Sequence, residues 1–95
     1  MFDISNKTAR QALKGLWLDE KMKKETIASL QKIDDGTLLP RNTKNFKGLK
    51  EHKFSKIRIL FEPGKNGQPK KIVAIFNRRD MDLIEKALRD SYKTK

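Results

Sequence analysis

The stretch Phe54-Ser-Lys-Ile-Arg-Ile-Leu-Phe-Glu62, continued by Pro63-Gly-Lys-Asn-Gly-Gln-Pro69 and Lys71-Ile-Val-Ala-Ile-Phe76, reads as a β-hairpin. Successive side chains of a strand alternate between faces. In the first run this sets Ile57, Ile59 and Phe61 on one face and Lys56, Arg58 and Leu60 on the other. The middle run is turn chemistry, with Asn66-Gly67 suited to supply positive φ at a hairpin tip. The returning run is apolar nearly throughout, which predicts a central strand covered on both faces.

Downstream of the hairpin, Asn77 or Asp80 is placed to cap a C-terminal helix over 78–93, with Ile84, Ala87, Leu88 and Ser91 as its inward stripe. Upstream, residues 37–53 hold Pro40, Asn42, Asn45 and Gly48 with little periodicity. They read as a basic loop with at most a short strand near Phe46. Further upstream, Ser5 or Asn6 is placed to cap a helix with Ala9, Ala12, Leu13 and Leu16 on its apolar face. Asp19 starts a second helix with Ile27, Leu30 and Ile33 on one face, and Gly36 ends it. Residues 1–36 thus form a helical hairpin, with an optional leading strand at Phe2 and Ile4. The order predicts an α+β fold: a helical hairpin packed on a small antiparallel sheet, then a C-terminal helix, with the helices on one side of the sheet. All 95 residues make a single domain, with a core just large enough to fold without staples.

The chain has no cysteine, so disulfides and thiolate metal sites are excluded and nothing argues for secretion. One histidine, His52, is too few for a zinc site. No apolar run approaches the roughly 20 residues of a membrane span. The expectation is a cytoplasmic protein that needs no metal and no cofactor. No Walker loop, GxGxxG, HExxH, EF-hand or CxxC occurs, and no elbow motif surrounds any serine.

Charge carries more information. Residues 41–71 hold ten Lys/Arg against two acids, Glu51 and Glu62, so +8 of the net +11 sits there. Such a concentration implies a polyanionic partner, because bound cations displace counterions from phosphate backbones. Arg41, Lys44, Lys47, Lys50, Lys53 and Lys56 recur at every third position, a spacing that forms a stripe on neither a helix nor a strand. The row supplies field strength. Its Lys44, Lys47, Lys50 and Lys53, with Lys70 and Lys71, are the candidate RNA-binding residues.

A basic patch without nucleotide, metal or redox motifs leaves binding proteins and metal-independent nucleases. In the latter, the 2′-OH of RNA attacks the adjacent phosphate while the protein orients it, moves protons and neutralises developing charge. Arg58 is the first candidate for that charge, as a forked phosphate ligand fixed on a strand, with Lys56 beside it. Arg78 and Arg79 follow the returning strand, where backbone N–H groups also favour anions. His52 is the one side chain that ordinarily titrates near neutrality. Tyr92 is either a proton donor or stacking platform, or a packing residue. Each of these side chains also has an inert reading, as a solvated or ion-paired surface group.

At Lys56-Ile-Arg58-Ile-Leu-Phe61, Ile72-Val-Ala-Ile-Phe-Asn-Arg-Arg79 and Ala87-Leu-Arg, with Asn45-Phe-Lys-Gly-Leu49 upstream, the chain resembles the RelE/ParE-like toxins of bacterial toxin–antitoxin systems, most closely a phage-derived, HigB-like subgroup. The resemblance spans roughly residues 20–92. It implies a RelE-like fold and a toxin that cleaves mRNA in the ribosomal A site without a metal. Arg58 would then stabilise the transition state and Arg78 or Arg79 would supply the basic residue after the last strand. An antitoxin, acidic or DNA-binding, is the implied protein partner. The sequence departs from the pattern in two places. A further strand usual before the arginine strand has little room, and Leu83 and Ile84 stand where the family often carries a tyrosine or histidine general acid. A non-enzymatic RNA- or DNA-binding module and a ParE-like toxin acting on a protein are the alternatives.

Overall fold

A computed structural model describes Ile4, residues 6–38, 40–43, Phe46, 48–64 and 69–89, with the backbone alone at 69 and 70. Its elements are α1 (Lys7–Trp17), α2 (Glu20–Asp34), β1 (Arg41–Asn42), β2 (Lys50–Phe54), β3 (Ile57–Pro63), β4 (Pro69–Asn77), a 3-10 turn (Arg78–Asp80) and α3 (Met81–Leu88). The four strands form one antiparallel sheet in the order β1-β2-β3-β4, so the α+β arrangement is the one expected.

The helix starts follow from side-chain chemistry. Asn6 caps α1, its Oδ1 accepting from the Ala9 N–H at 3.0 Å. Asp19 caps α2 by accepting from the Lys21 and Met22 N–H groups at 3.0 and 3.2 Å. Gly36, just beyond α2, has φ of 83°, a conformation a Cβ would strain. Asn77 caps the 3-10 turn, while Asp80 makes no side-chain cap bond to α3.

Register decides which residues meet. Arg58 pairs with Lys53 and Phe76, and Leu60 with Glu51 and Ala74. On the opposite face Ile57, Ile59, Phe61 and Ile75 pack with Leu16 of α1 and Leu30 and Ile33 of α2. Leu60, Ala74 and Phe76 pack instead with Phe46, Leu49 and the α3 residues Ile84 and Leu88. The expectation of helices on one side is therefore corrected. α2 lies over one face and α3 over the other, while α1 runs along β4 and sends Leu16 into the first cluster and Ala9 into the second.

Three further expectations change. Residues 37–53 are not all loop, since β1 and all of β2 but Phe54 lie within them. β2 escapes hydrophobic patterning because only Phe54 among its five residues is apolar, and its place comes from backbone pairing with β3. Phe54 ends β2 rather than starting the arginine strand. Ser55 and Lys56 form a two-residue connection in which Ser55 has φ of 50°. Finally, β4 lies at the end of the strand order rather than at its centre. Its residues Val73 to Phe76 are nonetheless buried, because α1 packs along it and covers what would be an exposed edge strand. On α2, Thr26 is fully buried and donates to the Met22 carbonyl at 2.7 Å, while Ile27 is half-buried.

Ile4 is buried, but the proposed leading strand at Phe2, the Asn66-Gly67 tip, Ser91 and Tyr92 lie outside the described residues. Among the described residues no helix is long and apolar enough to cross a membrane.

Candidate anion-binding face around Arg58

Arg58 emerges from the middle of the sheet, flanked by β2 and β4, and its side chain is only 17% exposed. Two neighbours hold it. Its Nη1 lies 4.0 Å from Glu51 Oε2 and donates to Met81 Sδ, at the start of α3, at 3.9 Å. Its Nε is buried and has no protein acceptor among the described residues. A buried donor left unmet costs about 1–3 kcal/mol, so this N–H calls for an acceptor from water or a bound anion.

Glu51, itself buried, also lies 3.9 Å from Nε of Arg41, an exposed residue on β1. Both ion pairs are longer than a hydrogen bond, so Coulomb attraction holds the trio while carboxylate lone pairs remain open. Thr43 keeps the adjoining wall in shape: its hydroxyl donates to the Phe46 carbonyl and accepts from the Phe46 N–H at 3.0 Å. Phe46, Leu60 and Met81 thereby line an open depression of about 220 Å³, into which Arg41, Glu51, Lys53 and Arg58 also face.

A second depression, of about 190 Å³, opens beside the Ser55–Lys56 turn and is lined by Lys53, Lys56, Arg58 and Arg78. The Arg78 N–H donates to the Lys56 carbonyl at 2.6 Å, tying the end of β4 to this turn. Four cations thus converge from three strand ends on a space lined, among the described residues, by no carboxylate. Like charges held together repel, and a bound anion relieves that repulsion. Lys53 and Arg58 border both depressions, so the two form one continuous face.

The candidates named from sequence divide accordingly. Arg58, Lys56, Arg78 and Lys53 are brought together. Lys56 stands on the turn rather than on the strand, and it is exposed. Arg79 diverges from Arg78 into a groove of about 450 Å³ between α1 and the 3-10 turn, where Asp19 and Asp80 also lie. His52 pairs with Ile59, which sets it on the face opposite Arg58. There it stacks on Phe54 with ring centroids 5.4 Å apart and planes at 23°. Burial, and then the Arg41 charge, push its pKa below the ordinary value, so the ring is neutral near pH 7. Lys50 shares that face and donates to Asn42 Oδ1 at 2.6 Å. Lys71 pairs with Glu62 at the far end of the hairpin. Lys44, Lys47 and the Lys70 side chain lie outside the described residues.

Sequence reading missed Glu51, Arg41 and Met81 as members of this face. One signal was available for Glu51, which is one of only two acids in the whole basic segment. Among the described residues no cluster of three or more His, Cys, Asp or Glu side chains is placed to hold a metal ion. Comparison with protein-family models, with curated proteins and with solved structures finds no match to this chain.

Proposed function

We propose that this chain is the toxin of a toxin–antitoxin system, a RelE-like endoribonuclease that cleaves mRNA on the ribosome without a metal and so blocks translation in the cytoplasm. The observation that carries the proposal is the convergence of Lys53, Lys56 and Arg78 on a strand-fixed, mostly buried Arg58. In this reading the 2′ oxygen gives its proton to water and forms a bond to the adjacent phosphorus, while the bond to the 5′ oxygen breaks and that oxygen takes a proton from water. The products are a 2′,3′-cyclic phosphate and a free 5′-OH. Arg58 neutralises the charge that grows on the non-bridging oxygens, and Lys53, Lys56 and Arg78 hold the phosphate in line. His52, on the other face, takes no part. β2 supports the reading as well, because it is a short strand in the tight connection before the arginine strand. An acidic antitoxin is the proposed partner that covers this face when the toxin is silent.

Induced expression should arrest growth, and primer extension should show new 5′ ends within translated messages. Arg58→Ala should lower cleavage roughly 10²–10³-fold, the loss typical of removing one transition-state donor, while its circular dichroism stays that of the parent. Full toxicity of Arg58→Ala would overturn the assignment. Intact messages with salt-sensitive RNA binding would indicate a non-enzymatic binding module instead, and intact messages with inhibited DNA gyrase a ParE-like toxin.

A further inference from the structure

The depression next to the cation cluster has features that phosphate binding alone does not use. Met81 is its one partly exposed apolar side chain, the almost fully buried Phe46 and Leu60 underlie it, Glu51 is buried within it, and the exposed Arg41 stands at its edge. Through Arg58 it is continuous with the space lined by Lys56 and Arg78. A phosphate held by those cations brings its own nucleoside to this opening. Unpaired bases are read through their Watson–Crick edges, which a carboxylate in this opening can meet.

We propose that this depression is a nucleobase subsite selective for guanine, with the Glu51 carboxylate accepting from the N1–H and N2–H groups of the base. Glu51 is 8% exposed, and its oxygens stand 3.9 and 4.0 Å from the two guanidinium groups, so their hydrogen-bonding capacity is not taken up by those partners. Guanine presents two adjacent donors to match two carboxylate oxygens. Adenine and cytosine each present a ring-nitrogen acceptor beside a single amino group, and its lone pair repels the carboxylate. Uracil offers one donor between two carbonyls, which repel it likewise. Arg41 is 66% exposed at the mouth and supplies a donor for O6 or N7, the acceptors that guanine adds on its other edge.

The inference rests on the reading of the Arg58 face as a phosphate site, but not on ribosomes or on cleavage, so free nucleotides test it. The full chain is titrated separately with 3′-GMP, 3′-IMP, 3′-AMP, 3′-CMP and 3′-UMP, following amide NMR shifts and calorimetry. The expected result is that 3′-GMP binds roughly tenfold or more tightly than 3′-AMP, 3′-CMP and 3′-UMP, the scale of one bidentate base contact. Shifts should centre on residues 41–43, 51, 58 and 81. 3′-IMP, which keeps N1–H and lacks the amino group, should fall between, a comparison that needs no altered protein. Glu51→Gln should bring the four standard nucleotides to within about twofold of one another. Equal affinities in the unaltered chain overturn the guanine subsite and leave the phosphate site standing. Binding of none of the five overturns both. An unchanged preference in folded Glu51→Gln overturns the role of that carboxylate.

Discussion

His52 shows how one strand position separates two chemistries. Glu51 and Lys53, its neighbours along β2, face Arg58, whereas His52 turns the other way and stacks on Phe54. Half-buried there and near Arg41, it resists protonation, and its pKa lies below the ordinary value. The sign of the consequence follows from linkage. In the unfolded chain the imidazole takes a proton near its ordinary pKa of about 6.5, while in the folded chain it does so only at lower pH. Its contribution to stability is complete above about pH 6.5 and is lost as pH falls through the depressed folded value. The midpoint of urea unfolding should therefore fall between about pH 7.5 and about pH 5.5, above the range in which ordinary carboxylates titrate. His52→Gln should flatten that dependence. An equal slope in His52→Gln would assign the effect to other groups, and a rising midpoint would contradict the sign.

At the scale of elements, a single residue ties the two ends of the fold. Asn6 caps α1 through Oδ1 and with Nδ2 donates to the Ala87 carbonyl in the last turn of α3, 3.1 Å away. Asn6→Ala removes a cap and leaves a helix-end carbonyl without this donor, so unfolding free energy should drop by about 1–2 kcal/mol. Chemical denaturation measures this, and a loss below about 0.3 kcal/mol would mean that water replaces both bonds at no cost. Caps of this kind were legible in the sequence, as were the α1–α2 hairpin and the β3–β4 pair, since each is marked by local chemistry or by apolar periodicity. β2 was not. Its side chains are Lys50, Glu51, His52, Lys53 and Phe54, and its turn uses Ser55 at φ 50° where Asn or Gly would have announced it. A strand defined by what it pairs with leaves little trace in its own residues. The burial of β4 was legible but its place was not, because apolar content reports cover and not neighbours.

For the molecule as a whole, charge density was legible and its sorting was not. Arg58 stood out because strand alternation alone sets it opposite Ile57 and Ile59. Arg78 and Lys56 meet only because β4 returns beside the β2–β3 turn, and Arg41 and Glu51 meet only through the register of β1 on β2. Among the described residues other cations face elsewhere, as with Lys71 at the far end of the hairpin and Lys50 on the opposite face. This sorting makes the salt dependence of RNA binding a test of where the site lies. If Lys53, Lys56, Arg58 and Arg78 neutralise the phosphates of a single strand, four contacts give log K against log[salt] a slope of about −3. Arg78→Ala should reduce that slope by about 0.7, whereas Lys71→Ala, with the same loss of net charge, should leave it nearly unchanged. Both can be read from fluorescence anisotropy of a short labelled RNA across a salt series. Equal reductions from the two substitutions would mean that net charge attracts RNA to no particular face, and the Arg58 cluster would lose its claim to be the binding site.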